Sequence, residues 1–208
     1  PPPPPPPSFF TPWALCNPWA PPRGAPLLPS PPPGGSGSEE LTRAADRWIP
    51  GSARFVSLGA YARNTGCFQV WKLEGASLKK CLEKELPHAL KCGTFGASSL
   101  SSPEVATGDF AGRLAIYDAA RGEATFTAQA HSSIVNSIDG AGGPTAGYGA
   151  PEVVTGGRDG RVCVWDPRQE DAPVASFEPA GAGDARDCWS VALLSYCWRC
   201  WASRGLLL

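Results

Sequence analysis

Three segments of the chain repeat one pattern, and this repeat constrains the fold more than any other feature of the sequence. Each segment has a short apolar run, a glycine-containing turn and a second apolar run that closes on an aromatic residue. The segments span residues 55–73, 104–120 and 152–168. The closing aromatic residues, 46 and 48 residues apart, are Trp71, Tyr117 and Trp165. A period in this range indicates one structural unit that recurs along the chain.

The repeating unit is typical of one blade of a WD-repeat propeller, a sheet of four antiparallel strands, here a to d in chain order. Through residues 41–193 short apolar runs, many of them β-branched or aromatic, alternate with clusters of Gly, Asp and Ser, which favours strands over helices. Residues 78–86 form a charged stretch that is also compatible with a short helix. The sequence therefore predicts an all-β chain, a partial WD-repeat β-propeller with about three four-stranded blades.

The spacing of the apolar runs gives the blade boundaries. We expect blades at residues 45–84, 88–130 and 131–180, and the first strand of a fourth blade at residues 187–193. Propellers close a ring of roughly 4–8 blades, whereas three blades leave two open edges and exposed apolar faces. The 208-residue chain is therefore predicted not to be a stable autonomous fold.

The two ends of the chain differ from the repeats in composition. The first 33 residues hold 16 of the 24 prolines, and proline fixes φ and removes an amide donor. Residues 1–40 are therefore predicted to be a disordered proline-rich segment, whose PxxP spacing also suits aromatic peptide-binding grooves. Residues 194–208 lack turn residues and are interpreted as an atypical tail, an artefact of the gene model. Because the chain contains no Met, we expect it to be a fragment.

Four residues of the third repeat are predicted to form a buried structural lock. His131 precedes strand a, Thr155 lies on strand b, Asp159 lies in the b–c turn and Trp165 lies on strand c. We expect His131 to donate to the Asp159 carboxylate, and Thr155 to face both Asp159 and the indole N–H of Trp165. Such groups tolerate burial only when all are paired. Thr, His and Asp also compose a hydrolase triad, but the repeat spacing favours the structural interpretation.

The first two repeats lack parts of this set. In the second repeat Ala111 stands at the place of Asp159, Tyr117 replaces Trp, and no His precedes strand a. In the first repeat the b–c turn is longer, at residues 60–66, and contains no acid. We therefore expect these two blades to depend on apolar packing of alternating strand faces.

Charge and composition argue against several classes of function. The net charge of −1 argues against binding to nucleic acid or to a membrane surface, and no apolar run is long enough for a transmembrane helix. The glycine-rich residues 140–151 lack the Lys-Ser/Thr and the helix of a phosphate-binding loop. Cys197 and Cys200 supply only half of a four-ligand zinc site. We therefore predict no catalytic residue, no cofactor and no metal.

Several segments within residues 47–190 are more specific than an average blade. They include RWIPGSARFVSLGAYARNTGCFQVWKL, KCGTFGASS, ATGDFAGRLAIYD, YGAPEVVTGGRDGRVCVWDPRQEDAPVASFEP and RDCWSVA. In these segments the chain resembles the N-terminal blades of the WD-repeat axonemal dynein assembly factors. The resemblance implies a non-enzymatic scaffold or adaptor that acts in the cytoplasm, at dynein assembly foci, in the preassembly of axonemal dynein arms. The implied partners are a heat-shock co-chaperone complex with RuvB-like ATPases and a tetratricopeptide adaptor, and dynein chains as clients.

Two other interpretations stay open. Residues 165–168 read Trp-Asp-Pro-Arg, the box by which some WD proteins dock on Cullin-RING ubiquitin ligase adaptors, so Asp166 and Arg168 are candidate partner-binding residues of a substrate receptor. The same residues also suit an ordinary c–d turn. The other interpretation is a non-functional truncated gene product. Loops at one face of the propeller add Arg158 as a third candidate partner-binding residue, with the region of Asn136 and Asp187.

Overall fold

The structure, a computed structural model of the chain, describes residues 41–142, 150–169, 172–178, 186–194 and 205–207. For residue 194 and residues 205–207 it describes the backbone alone. The prediction of disorder for residues 1–40 and most of the predicted tail, including Cys197 and Cys200, lie outside the described residues.

The described residues form β-strands and no helix. The strands are β1 (Leu41–Trp48), β2 (Arg54–Tyr61), β3 (Gly66–Glu74), β4 (Ser77–Leu86), β5 (Leu90–Thr94), β6 (Glu104–Asp109), β7 (Arg113–Asp118), β8 (Ala124–Gln129), β9 (Val135–Ala141), β10 (Glu152–Gly157), β11 (Val162–Trp165), β12 (Ala175–Phe177), β13 (Ala192–Leu194) and β14 (Gly205–Leu207).

Twelve of these strands form three antiparallel sheets of four, in which each strand pairs with its neighbours in the sequence. We call these sheets blade 1 (β1–β4), blade 2 (β5–β8) and blade 3 (β9–β12). This arrangement confirms the prediction of an all-β chain with the four-stranded blades of a partial WD-repeat propeller.

Blade 1 differs from the prediction in two details. Its first strand begins at Leu41 rather than at residue 45. Residues 78–86 lie in strand β4, so the alternative of a helix is wrong. Leu78, Leu82 and Leu86 are four residues apart and face inward along β4, and because a spacing of four suits one face of either a helix or a strand, the sequence pattern did not distinguish them.

The closing aromatic residue has the same register position in every blade. It pairs with the first apolar residue of strand b, as Trp71 with Phe55, Tyr117 with Val105 and Trp165 with Val153. The sequence repeat is therefore a repeat of backbone pairing, and residues at equal register can be compared between blades.

Aromatic rings fill the space between consecutive blades. The centroid of the fully buried Phe68 ring, in blade 1, lies 5.5 Å from that of Tyr117 in blade 2. The centroid of Phe126, in blade 2, lies 6.3 Å from that of Trp165 in blade 3, with the rings edge to face. Each of these closing aromatic residues thus packs on an aromatic residue of the preceding blade, an arrangement that stabilises the stack of blades.

Two equivalent glycines in strand b let the chain of the following blade approach closely. A Cβ atom at Gly108 would lie 2.5 Å from Val135 Cγ1, and one at Gly156 would lie 2.7 Å from Cys188 Sγ. Both distances are well inside the contact distance of about 3.5–4.0 Å between non-bonded atoms. At these points a side chain of one blade packs directly on the glycine backbone of the blade before it. Any larger residue in place of the glycine would prevent this contact.

Residues 187–193 lie beside the innermost strand of blade 3, as expected for the start of a fourth blade. Val191 N donates to Ser137 Oγ at 3.3 Å, and Leu193 N donates to Asp139 Oδ2 at 3.0 Å. Val191 also packs with buried valines of blade 3. Strand formation begins only at residue 192, where β13 pairs with β14 of the predicted tail.

Candidate functional site

His131 links the loop before blade 3 to the b–c turn of the same blade. Its Nδ1 lies 2.9 Å from Asp159 Oδ1, and its Nε2 lies 2.9 Å from Thr155 Oγ1. Because a carboxylate only accepts hydrogen bonds, Nδ1 carries the proton and donates. The sequence prediction paired His131 with Asp159, and Asp159 in turn with Thr155. The structure brings the three residues together but places His131 between the other two.

The Asp159 carboxylate also satisfies backbone amides on both sides of the loop. Oδ2 accepts from Ser132 N at 2.9 Å, and Oδ1 accepts from Arg161 N at 3.1 Å. Burial acts to raise the pKa of Asp159, but the two amide hydrogen bonds and the adjacent His131 outweigh it and lower the pKa below its ordinary value. The carboxylate is therefore held in its ionised form.

Trp165 does not join this hydrogen-bond cluster. Among the described residues its buried Nε1 has no hydrogen-bond partner, so the expected contact between Thr155 and the indole N–H is wrong. The Thr155 hydroxyl lies 3.4 Å from the Cys163 carbonyl oxygen instead. Trp165 contributes its ring, which packs on Phe126, because the stacking of blades 2 and 3 directs the indole into the interface.

The burial of this cluster decides against a hydrolase triad. Thr155 is 0 % exposed, and the His131 side chain is also 0 % exposed. A nucleophile and its general base must reach a substrate carbonyl, which neither side chain can do here. The hydrogen bonds of His131 and Asp159 connect the loop before blade 3 to its b–c turn. That these residues act as a structural lock stays a prediction.

Blade 2 contains an acid that the sequence comparison overlooked. Asp109, which is 5 % exposed, accepts from Ala111 N at 2.9 Å and from Arg113 N at 2.8 Å. Its second oxygen accepts from Arg113 Nε at 2.9 Å. The expectation that apolar packing alone holds blade 2 is therefore wrong. The sequence does contain a sign of this acid. Asp109 stands at the end of strand b, two residues before Ala111, which occupies the position of Asp159.

Blade 1 also has a polar network, on its outer strands and around Glu83. Glu83 Oε1 accepts from Tyr61 Oη at 2.7 Å and from Gln69 Nε2 at 2.6 Å, and Oε2 accepts from Lys80 Nζ at 2.6 Å. Trp71 Nε1 donates to Gln69 Oε1 at 3.1 Å. The hydrogen bond from Lys80 is the main cause of the lowered pKa of Glu83. The indole N–H of Trp71, the closing aromatic residue of blade 1, is therefore hydrogen-bonded, unlike that of Trp165 among the described residues.

The candidate partner-binding residues lie at opposite ends of blade 3. Arg158 is in the b–c turn, where its Nε lies 3.7 Å from Asp187 Oδ2. Asp166 and Arg168 follow strand c, and antiparallel strands place the c–d turn at the other end of the sheet. The two sets therefore belong to different faces and do not form one site.

Asp166 and Arg168 form a bidentate ion pair that orients the Arg168 side chain. Arg168 Nε and Nη2 donate to the two carboxylate oxygens at 2.9 and 2.7 Å. These hydrogen bonds lower the pKa of Asp166 to about 2. The Arg168 side chain stays largely exposed, so the box presents a guanidinium of fixed orientation to the solvent.

Neither a metal-binding cluster nor a membrane-spanning helix occurs among the described residues. Within the described ranges, no group of three or more His, Cys, Asp or Glu side chains is arranged to hold a metal ion. No helix in the part of the chain that the structure describes is long and apolar enough to cross a membrane.

No family model matches the chain, but curated proteins match it over 147 residues. The chain is 62 % identical there to a protein of Chlamydomonas reinhardtii, 52 % to one of Xenopus tropicalis and 49 % to one of Homo sapiens. All three are named dynein axonemal assembly factor 10, also called Monad. Each match covers 70 % of this chain and 41 % of the relative, so the chain spans about two fifths of their length. These matches confirm the resemblance found in the sequence.

Proposed function

We propose, from this similarity to dynein axonemal assembly factors, that the chain takes part in the assembly of axonemal dynein as a non-enzymatic WD-repeat scaffold. It acts in the cytoplasm, before the dynein arms enter the cilium. Its partners are a co-chaperone complex with RuvB-like ATPases and a tetratricopeptide adaptor, and its clients are dynein chains.

The observation that carries this proposal is identity of 47–62 % to six relatives that share one name. Identity at this level over 147 residues is a stronger indication of a shared function than a shared propeller fold, which alone does not specify one. The buried His131 cluster and the packed blade interfaces also support a rigid platform, since their polar groups face inward rather than toward a substrate.

The test is affinity purification of the tagged full-length protein from the cytoplasm of cells that are regrowing cilia. We expect RuvB-like ATPases, the tetratricopeptide adaptor and dynein chains to co-purify, and not to co-purify with an unrelated WD-repeat protein tagged in the same way. Recovery of neither chaperones nor dynein chains would overturn the proposal.

A second candidate function, a substrate receptor of a Cullin-RING ligase, is favoured by the geometry of the Trp-Asp-Pro-Arg box. Asp166 fixes the Arg168 guanidinium, and an oriented cation on the surface suits recognition of a carboxylate. Pro167 and Arg168 also border a crevice of about 240 Å³ beside blade 2.

Arg168→Ala tests this second function against a matched control, Arg121→Ala, in the corresponding turn of blade 2. The ligase function predicts that Arg168→Ala abolishes co-purification of the Cullin adaptor while chaperone binding and the Arg121→Ala variant are unaffected. If no Cullin adaptor is recovered with the unmodified protein, the ligase function is wrong.

A further inference from the structure

Lys91 and Asn136 have equivalent positions on the innermost strands of consecutive blades. Leu90 pairs with Asp109 in blade 2, and Val135 pairs with Gly157, the equivalent of Asp109, in blade 3. Lys91 and Asn136 follow these residues, each at an irregularity in the strand. The two side chains therefore occupy the same place on one rim of the propeller.

Trp189 has the same position at the start of the fourth blade. Val135 lies against Gly108, and Cys188 lies against Gly156, the equivalent glycine of blade 3. Trp189 follows Cys188 as Asn136 follows Val135. Three successive blades thus place a Lys, an Asn and a Trp at equivalent positions, although the sequence repeat does not make these residue types alike.

These residues contact one another through the Lys91 ammonium group. Lys91 Nζ donates to Asn136 Oδ1 at 2.6 Å. It lies 5.2 Å from the centroid of the Trp189 ring and 5.8 Å from that of Phe110, which is in the b–c turn of blade 2. We call Lys91, Phe110, Asn136 and Trp189 the rim patch. Trp189 is 69 % and Phe110 43 % exposed, so two large aromatic rings face solvent on either side of one cation.

The rim patch has positive character without an acidic partner of its own. Among the described residues, no carboxylate lies within ion-pair distance of Lys91, which is instead held by an amide and two rings. Two acids close in sequence to its members are engaged elsewhere: Asp109, next to Phe110, by Arg113, and Asp187, two residues before Trp189, by Arg158.

Asn136 adds a donor that lacks an acceptor. Its Oδ1 is used by Lys91, while Nδ2 is buried with no hydrogen-bond partner among the described residues. Leaving a buried polar group unpaired is unfavourable. A carboxylate complements both an ammonium that has no anionic partner and an amide N–H that has no acceptor, and exposed aromatic rings are complemented by an apolar side chain.

We propose that the rim patch binds an extended acidic segment of a partner protein, in which a Glu or Asp side chain lies next to an apolar residue. The carboxylate accepts from Lys91, and the apolar side chain packs between Trp189 and Phe110. Aromatic residues such as Trp189 and Phe110 are enriched in protein interfaces, and Trp is among the residues that contribute most to binding there. The proposal deepens the scaffold function and rests on it only for the premise that the ligand is a protein.

The test uses the full-length protein and fluorescein-labelled 12-residue peptides, with binding measured by fluorescence anisotropy. One peptide carries a central Glu-Phe-Glu sequence, a second carries Gln-Phe-Gln, and a third carries Glu-Ala-Glu. We expect the Glu-Phe-Glu peptide to bind about tenfold more tightly than each of the others, since a charge-assisted hydrogen bond and a buried ring each contribute about a factor of ten. Its affinity should also fall with added salt.

Lys91→Gln should reduce the preference for the Glu-Phe-Glu over the Gln-Phe-Gln peptide to about twofold or less. Lys79→Gln, on the exposed outer strand of blade 1, is the matched control and should bind as the unmodified protein does. Phe110→Ala, in an exposed turn, is a second variant that leaves Lys91 in place and should weaken binding. Circular dichroism checks that each variant is folded.

Equal affinity for the Glu and Gln peptides, or unchanged binding by Lys91→Gln and Phe110→Ala, would overturn the rim-patch proposal. If Lys91→Gln still binds the Glu-Phe-Glu peptide while Lys79→Gln binds it more weakly, the peptide is held by a non-specific basic surface. That result would equally overturn the proposal. The scaffold function is judged separately, by the purification of chaperones and dynein chains, so the failure of one proposal is distinguishable from the failure of the other.

Discussion

Blades 2 and 3 satisfy equivalent backbone amides with aspartates from different places in the chain. In blade 3, Asp159 in the turn accepts from Arg161 N, whereas in blade 2 Asp109 at the end of strand b accepts from Arg113 N. Asp159 also binds His131 of the preceding loop, but the second oxygen of Asp109 binds its own Arg113. An acid therefore caps the b–c turn in both blades, and of these two blades only blade 3 also connects that acid to the preceding loop, through His131.

His131→Ala is expected to have the largest effect, because it removes a connection between the loop before blade 3 and its b–c turn. We expect a loss of about 3 kcal/mol in the free energy of unfolding, because the change leaves a cavity and removes the hydrogen bonds of the His131 ring to Asp159 and Thr155. Urea denaturation of the full-length protein measures it. His88→Ala, which alters an exposed histidine, is the control and should cost less than about 0.5 kcal/mol. A loss for His131→Ala that is no larger than for His88→Ala would show that the cluster is not a lock.

Asp109→Ala tests whether blade 2 has an equivalent of the Asp159 turn. Removing the buried carboxylate leaves two amides and the Arg113 guanidinium without their acceptor, so we expect a loss of about 2 kcal/mol. Asp118→Ala is the matched control, since Asp118 accepts from Ala120 N and Arg121 N at an exposed turn. The control should cost about 1 kcal/mol or less, and equal losses would mean that the turn of blade 2 does not depend specifically on Asp109.

Acid should weaken blade 3 through Asp159. Its pKa is lower in the folded protein than in the unfolded chain, so its contribution to stability is complete above the ordinary aspartate pKa of about 4 and is lost as the pH falls through the folded value. We expect the free energy of unfolding to decrease below about pH 4, and the decrease to be smaller in Asp159→Asn. Unfolding curves collected from about pH 6 down to 3 compare the two proteins. Identical slopes would contradict the assignment.

Trp165→Phe should have the smallest effect. The change removes some buried ring area but also removes the indole N–H that has no partner among the described residues, so the two effects oppose each other and we expect a net change below about 1 kcal/mol. A double-mutant cycle of Trp165→Phe with Thr155→Val measures their coupling. Coupling of more than about 1 kcal/mol would indicate a hydrogen bond between these two side chains.

The sequence was sufficient to predict the blades because their periodic elements repeat. The spacing of Trp71, Tyr117 and Trp165 predicted the three sheets, and the contact of His131 with Asp159 was likewise expected from their places in the third repeat. In each case a residue at a fixed register position has a fixed neighbour, which is the information that a repeat contains.

Features that depend on side-chain direction or on contacts across blades were not predictable in this way. Asp109 replaces the missing turn acid from a position two residues away, which a residue-by-residue comparison treats as a gap. The ring of Trp165 turns to Phe126 of the preceding blade rather than to Thr155. Lys91 contacts Asn136 and Trp189 because equivalent positions of consecutive blades lie side by side in the fold. No local sequence pattern indicates which side chains are brought together in this way.

The carbonyl oxygen of Gly112 connects the polar centre of blade 3 to the sheet that precedes it. This oxygen, in the b–c turn of blade 2, accepts from Ala130 N at 3.1 Å and from His131 N at 2.9 Å. Gly112 has φ +85°, and a side chain there would collide with the backbone of His131. The backbone on which the His131 ring is mounted is thus positioned by the preceding sheet. A substitution at Gly112 would therefore disturb the polar centre of a blade to which this glycine does not belong.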